Sequence, residues 1–170
     1  MLALALDGHD GAGKTTLAKL LAERVGARYV RPFGGERGAA LLRAYECGDY
    51  AGVVRVGQAA IGEALAGAGG PAVLDRGWLT VGTLVPAEMF VDMWRLWVPT
   101  ALLWCDLPAT LERLGGRKDE QAEPEEWHRH FLNLYLERRK LRDGPVIRTD
   151  LLDQDACLTQ LAKLFPVGNK

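Results

Sequence analysis

The chain has 170 residues, a length typical of a single domain, and 48% of them are hydrophobic, which is sufficient for one core. The formal net charge of −1 argues against a general nucleic-acid surface, which would need a basic excess. The cysteines Cys47, Cys105 and Cys157 form no C-x-x-C pair, so we expect reduced thiols rather than a disulfide framework or a zinc site.

The first segment is a short apolar run, residues 2–6, that leads directly into a glycine-rich sequence. It lacks the basic region of a signal peptide and is too short for one, so it predicts a buried strand. No apolar run in the sequence is long enough to span a membrane. We therefore expect a cytoplasmic protein whose partners are neither membranes nor nucleic acids.

The glycine-rich segment from Gly8 to Thr15 matches the phosphate-binding pattern G-x-x-x-x-G-K-[ST], between a predicted strand and a predicted helix. Its glycines allow backbone N–H groups to converge on an anion, and the N-terminus of the following helix adds positive potential. We expect Lys14 to contact the β- and γ-phosphates of a nucleoside triphosphate and the Thr15 hydroxyl to bind Mg²⁺. The motif therefore predicts a nucleotide-binding protein.

After this loop, helical and extended patterns alternate along the chain. The predicted strands are residues 2–6, 29–31, 72–74, 101–105 and 146–147. The predicted helices are residues 15–25, 36–46, 53–66, a helix from 107–108 that Asp106 caps, residues 124–142 as the longest, and residues 151–165. The predicted buried stripe of the longest helix consists of Trp127, Phe131, Leu134, Tyr135 and Leu141. Residues 78–98 are aromatic and only partly helical in pattern.

This alternation predicts an α/β fold in which a mainly parallel, five-stranded sheet carries helices on both faces, a three-layer sandwich in one domain over residues 1–170. Ligands of such sheets bind at the carboxyl ends of the strands. The phosphate loop, Arg31, Asp75, Arg76 and the region after Asp106 should therefore meet at one edge. We expect a small lid, residues 115–120, to close over ATP there.

Arginines are frequent near these predicted strand ends and in the lid. Phosphoryl transfer needs such cations because negative charge spreads over the moving group. The sequence has no N-K-x-D guanine selector and no early D-x-x-G switch, which argues against a GTPase. The pattern thus favours a kinase.

Several segments, in chain order, resemble the thymidylate kinase family. Residues 7–16 are similar to its opening, E-G-x-D-G-A-G-K-T-T, and residues 31–35 to its R-E-P-G-G segment. Asp75 and Arg76 match the first two letters of its D-R-Y motif, and residues 102–108 resemble its L-Y-L-D-x-P segment. Arg43 corresponds to a later arginine of the family, and Arg55 and Gln58 fall near its R-x-Q-H helix.

The resemblance implies a role for each matching residue. The donor ATP would be held by Asp10, Gly11, Ala12, Gly13, Lys14, Thr15, Thr16 and Arg113, and Mg²⁺ by Thr15 and Asp75. The acceptor would contact Asp10, Arg31, Phe33, Arg43, Arg55, Gln58 and Arg76. The catalytic residues would be Lys14, Asp75, Arg76 and Arg117. A lid cation is implied because the phosphate loop itself contains no arginine, so Arg113, Arg117 or Lys118 would supply it.

The chain also departs from the family pattern. Gly77 stands where the family has tyrosine, Thr80-Val81 stands for a serine pair, and the segment between Asp75 and the fourth strand is shortened. These positions would contact thymine and the sugar, so the acceptor base stays open.

Structural roles remain as alternatives for several of these residues. Asp75 could cap a helix, Arg43 and Arg55 could be solvated helix residues, and Phe33 could belong to the core. His9 could serve only to pack the loop. A metal site at His128 and His130 is not expected, because residues two apart do not share a helix face.

Three functions fit the sequence. The leading hypothesis is ATP-dependent phosphoryl transfer to a nucleoside monophosphate by an enzyme that could form a homodimer. The second is a kinase of an unphosphorylated deoxynucleoside or small metabolite alcohol. The third is an ATP-binding regulatory switch.

Overall fold

The computed structural model describes residues 2–116 and 123–165. The strands in these ranges are β1 (Ala3–Asp7), β2 (Arg28–Val30), β3 (Ala72–Asp75), β4 (Thr100–Trp104) and β5 (Val146–Arg148). The helices are α1 (Lys14–Val25), α2 (Glu36–Glu46), α3 (Tyr50–Ala68), α4 (Trp78–Thr83), α5 (Ala87–Met93), α6 (Leu107–Gly115), α7 (Glu125–Arg138) and α8 (Gln154–Leu164). A short 3₁₀ turn, Arg139–Leu141, follows α7.

The five strands form one parallel sheet in the order β2-β3-β1-β4-β5. Leu4 pairs with Val73 and Leu6 with Asp75, which places the ends of β1 and β3 side by side. The predicted five-stranded parallel sheet and α/β class are confirmed.

Each face of the sheet buries its own core because side chains alternate along the strands. Leu4 and Leu6 face α1 and α8, where they pack with Leu17, Leu21 and Leu161. The opposite face of β1 carries the small residues Ala3 and Ala5, which leave room for α3, α4, α5 and α7. The sheet lies between these two helical layers, as the three-layer prediction requires.

Two predictions about helices were wrong. The longest described helix is α3, with 19 residues, whereas α7 has 14 because the chain tightens into a 3₁₀ turn at Arg139. The inward face of α7 is formed by His128, Phe131, Leu132, Tyr135 and Arg138, while Trp127, Leu134 and Leu141 of the predicted stripe are only partly buried.

The aromatic segment of residues 78–98 forms the two short helices α4 and α5, separated at Pro86. Phe90 and Trp94 are fully buried there and stack at 5.0 Å between ring centroids. The three cysteines are free, Cys47 exposed and the other two buried. Within the described ranges, none of the helices has the length and apolar character that crossing a bilayer requires.

Candidate active site

The phosphate loop connects the buried strand β1 to the start of α1. Gly8, Gly11 and Gly13 have φ angles of 150°, 80° and 80°, a region that L side chains rarely adopt. A Cβ at Gly8 would lie 2.2 Å from the Leu103 carbonyl oxygen, so only glycine fits this turn against β4. The loop therefore has the curled backbone that the sequence motif predicts.

Lys14 is held inside this loop. Its side chain is only 6% exposed, and Nζ donates to the His9 carbonyl oxygen at 2.6 Å and lies 3.7 Å from the Asp10 carboxylate. Burial, and secondarily the charge of Arg76, lowers the pKa of Lys14 to about 7. An anion entering the loop would favour the ammonium form, so the site is built to accept negative charge.

Asp75 and Thr15 meet where β3 ends beside the phosphate loop. The Thr15 hydroxyl donates to Asp75 Oδ2 at 2.7 Å, and the Tyr29 hydroxyl donates to the same oxygen at 2.9 Å. Asp75 does not cap α4, whose N-cap is Gly77 with no side-chain hydrogen bond. Asp106 instead caps α6 by accepting from the Ala109 amide at 3.0 Å, as predicted.

This pair fits a magnesium ion. Mg²⁺ prefers oxygen ligands and is bound in proteins through one or two carboxylates together with substrate phosphates. The Thr15 hydroxyl and the Asp75 carboxylate supply such oxygens next to the loop that would hold the phosphates. Tyr29, which the sequence analysis did not single out, orients the carboxylate.

Arg76, which directly follows β3, directs its guanidinium toward the phosphate loop. Its φ of 77° is unusual for a residue with a side chain. Nη2 donates to Asp10 Oδ1 at 2.6 Å. Burial alone would raise the pKa of Asp10, but Arg76 and Lys14 outweigh it and hold this pKa at about 2. The carboxylate therefore stays ionised between two cations.

Asp7 anchors the turn that carries Arg76. Its fully buried carboxylate accepts from the backbone amides of Gly77 and Thr80, at 3.0 and 3.1 Å, and from the Thr80 hydroxyl. Burial raises the pKa of Asp7 despite these bonds. A Cβ at Gly77 would lie 2.7 Å from the Ala5 Cβ, so the close approach of this turn to β1 requires glycine.

A cavity of about 330 Å³ opens next to Asp10, Asp75 and Arg76. Its walls come from the phosphate loop, the turn after β2, and helices α2, α4 and α7. They consist of His9, Asp10, Arg31, Phe33, Gly38, Leu41, Leu42, Tyr45, Asp75, Arg76, Thr80, Thr83, Leu84, Trp127, Phe131 and Tyr135. The charged side chains gather at the phosphate-loop end, whereas leucines and aromatic rings form much of the remaining wall. Such a cavity suits a molecule with one anionic end and one flat apolar end.

The structure does not bring three predicted acceptor residues to this cavity. Arg43 is 60% exposed and pairs with Glu36, because α2 presents Gly38, Leu41, Leu42 and Tyr45 to the cavity instead. Arg55 is 66% exposed and lies 3.7 Å from Asp49. The Gln58 side chain accepts from the Arg95 amide at 2.7 Å.

A second space of about 340 Å³ lies on the other side of the loop. It is lined by Gly11, Ala12, Gly13, Thr16, Leu17, Arg113, Thr149, Leu152, Gln154 and Cys157. Arg113 Nη1 donates to the Gly11 carbonyl oxygen and the Thr149 hydroxyl, both at 3.0 Å. This places the predicted donor residue Arg113 beside the loop. Arg117, Lys118 and most of the predicted lid lie outside the described residues.

The structure also reveals a buried histidine pair that the sequence analysis did not predict. His9 Nε2 and His128 Nδ1 are 2.8 Å apart, which joins the phosphate loop to α7. The two residues are separated by 119 positions, so no local pattern could indicate the contact.

Comparison with known proteins identifies the fold. No protein-family model matches the chain, and no curated protein sequence matches it. Deoxyadenosine kinase from M. mycoides with bound dATP is similar with a TM-score of 0.66 and 17% identity, over 96% of this chain and 99% of that one. The chain has the same α/β fold as this kinase.

Two further solved structures share this fold. The same deoxyadenosine kinase with dCMP and dCDP has a TM-score of 0.61 and 17% identity, over 95% of this chain and 97% of that one. The YorR protein from Bacillus subtilis, in complex with phosphorylated GDP, has a TM-score of 0.64 and 19% identity, over 95% and 94%. The likeness to thymidylate kinases in particular stays a prediction.

Proposed function

We propose that the protein transfers the γ-phosphoryl group of ATP to a nucleoside monophosphate. The observation that carries this proposal is the position of Arg76 and Arg31 at the charged end of an otherwise largely apolar cavity that adjoins the phosphate loop. A phosphorylated acceptor would place its phosphate against these cations and its base between Phe33 and the aromatic residues of α7. An uncharged acceptor would place no anion against these two arginines.

The donor would occupy the phosphate loop and the space beside Arg113. Backbone amides of residues 10–16 would surround its phosphates, with Lys14 against the β- and γ-phosphates. Thr15 and Asp75 would hold Mg²⁺, which when bound neutralises charge on the phosphate oxygens. Arg117 remains our proposed lid cation.

Catalysis would depend on positioning and charge rather than on a covalent intermediate. Arg76 would bind the acceptor phosphate, and its ion pair with Asp10 would fix the guanidinium before the acceptor arrives. Lys14 would stabilise negative charge on the transferring group from the donor side. The buried turn held by Asp7 would keep Arg76 in place, so little reorganisation would accompany the reaction.

The main alternative is a kinase of an unphosphorylated deoxynucleoside. The carboxylates of Asp10 and Asp75 favour this reading, because a hydroxyl acceptor needs a nearby base. A neighbour with the same fold is named deoxyadenosine kinase. Under this alternative Arg76 would only hold Asp10.

An acceptor panel separates these functions. ADP release is measured with ATP and Mg²⁺ against the common nucleosides, deoxynucleosides and their monophosphates, with Lys14→Ala as the blank. We expect turnover with monophosphates only. Turnover restricted to unphosphorylated acceptors would support the deoxynucleoside kinase, and ATP binding without turnover on any acceptor would support a regulatory switch.

A further inference from the structure

The contact between His9 and His128 is chemically specific. Both side chains are almost completely buried, with His9 4% and His128 6% exposed. A hydrogen bond of 2.8 Å between Nε2 of one ring and Nδ1 of the other requires one nitrogen to carry a proton and the other to lack it. Two neutral rings in complementary tautomers satisfy this requirement.

Burial of His9 favours the neutral form of its ring. Burial, together with Lys14, Arg76 and His128, lowers the pKa of His9 to about 4, although Asp10 opposes this effect. His9 is therefore neutral at physiological pH, and its neutral ring can take either role in the pair according to its tautomer.

Aromatic rings fix the orientation of the pair. The His9 ring is parallel to Phe131 within 5°, with centroids 6.1 Å apart, and its centroid is 5.3 Å from that of Trp127. The ring centroids of Trp127 and Phe131 are in turn 4.6 Å apart. The His9 side chain is thus seated against one face of α7.

The backbone carbonyl group of His9 makes two hydrogen bonds within the phosphate loop. The His9 carbonyl oxygen accepts from Lys14 Nζ at 2.6 Å and from the Ala12 amide at 3.3 Å. The His9 ring therefore contacts α7, while the His9 carbonyl oxygen contacts Lys14, the lysine expected to bind the phosphates. A change in the seating of the ring would move the carbonyl oxygen that orients Lys14.

We propose that His9 and His128 are positioning residues that fix the phosphate loop to α7 and hold Lys14 in the orientation that receives the donor phosphates. The inference rests on the proposed function in one respect, since it takes ATP as the donor. It makes His128, far from the loop in sequence, a determinant of ATP affinity.

A double-mutant cycle tests this proposal. ATP binding in the presence of Mg²⁺ is measured by calorimetry for the wild type, His9→Phe, His128→Phe and the double variant, with melting temperatures as the check on folding. We expect each single variant to weaken ATP binding about tenfold, because a buried partner loses its hydrogen bond. The double variant should be no weaker than either single one, because both remove the same interaction.

Two further variants separate positioning from general stability. His130→Phe is the matched control, since His130 is exposed on the same helix, and its ATP affinity should stay within about twofold of wild type. His128→Asn places an amide near the position of Nδ1 and should recover most of the lost affinity. We also expect the KM for ATP to rise more than the KM for the acceptor in His128→Phe.

Wild-type ATP affinity in His128→Phe, or additive losses in the double variant, would overturn the inference while leaving the proposed function intact. Absence of ATP binding by the wild type would overturn both. If His128→Phe does not fold, His128→Ala replaces it in the cycle, since it removes the hydrogen bond without adding volume.

Discussion

Arg76 combines an unfavourable backbone conformation with a well-defined side-chain contact. A left-handed non-glycine residue costs of order 1–3 kcal/mol, which the surrounding structure must offset. The offset comes from Asp7, whose buried carboxylate holds the amides that follow Arg76, and from Asp10, which binds the guanidinium. The chain thus fixes a strained arginine at the end of the cavity, where the proposed mechanism needs a preset cation.

Replacing Arg76 tests that role. We expect Arg76→Ala to lower kcat/KM with a nucleoside monophosphate by about 10²-fold or more, because a cation that faces developing charge is lost. The measurement is steady-state kinetics alongside Arg28→Ala, which removes an exposed arginine of β2. A loss of less than a few-fold in Arg76→Ala would remove this residue from the site.

At the residue scale, the sequence predicted the side chains that belong to motifs. Lys14, Thr15 and Asp75 could be placed because loop spacing and strand ends dictate their positions. Tyr29, Asp7 and the histidine pair could not, since their contacts join positions 46 to 119 residues apart. Arg43, Arg55 and Gln58 were misplaced because a local helical pattern does not indicate which helix face meets the cavity.

At the scale of single helices, local patterns were sufficient to predict some helix ends but not others. Gly26 ends α1 in the left-handed conformation, and Asp106 starts α6, both as their residue types predict. The bounds of α3 were less predictable, because its start at Tyr50 depends on the Asp49 cap and its small residues reflect tertiary contacts. Gly57 is one of these, since α3 approaches α4 closely at this position.

Two glycines of α3 form a matched pair for measuring this contact. A Cβ at Gly57 would lie 2.7 Å from Val81 Cγ2, a fully buried and rigid side chain, so Gly57→Ala should destabilise the protein by about 1–3 kcal/mol. Among the described residues, a Cβ at Gly67 would have no heavy atom within 4 Å beyond its own turn of the helix, so Gly67→Ala should stabilise the protein by about 0.5–1 kcal/mol.

Urea unfolding of both variants gives the two free-energy changes. Equal effects of the same sign would show that helix propensity alone decides at these positions and that α3 and α4 do not pack as described.

At the scale of the whole molecule, alternating strands and helices were enough to predict the parallel sheet and its two helical layers. The same rule placed the phosphate loop and Asp75 together, because β1 and β3 are neighbours in the sheet. The cavity could not be predicted, since its walls come from α2, α4 and α7, whose mutual packing depends on contacts across the chain.

The burial of Lys14 makes the number of protons taken up on ATP binding depend on pH. Its pKa is lowered to about 7 in the free protein, and a bound triphosphate would raise it by favouring the ammonium form. At about pH 8, ATP binding should therefore take up about one proton, whereas near pH 6 uptake should be small. Calorimetry in two buffers of different ionisation enthalpy measures this number, and identical binding heats in both buffers at the higher pH would contradict the expectation.

Phosphoryl transfer to a phosphorylated acceptor can be observed by following the γ-phosphorus of ATP with ³¹P nuclear magnetic resonance in the presence of Mg²⁺ and each common deoxynucleoside monophosphate. We predict that the γ resonance declines while the β resonance of a nucleoside diphosphate formed from the acceptor grows in equal amount with ADP. Release of inorganic phosphate alone, or an unchanged γ resonance with every monophosphate, would contradict phosphoryl transfer to a phosphorylated acceptor.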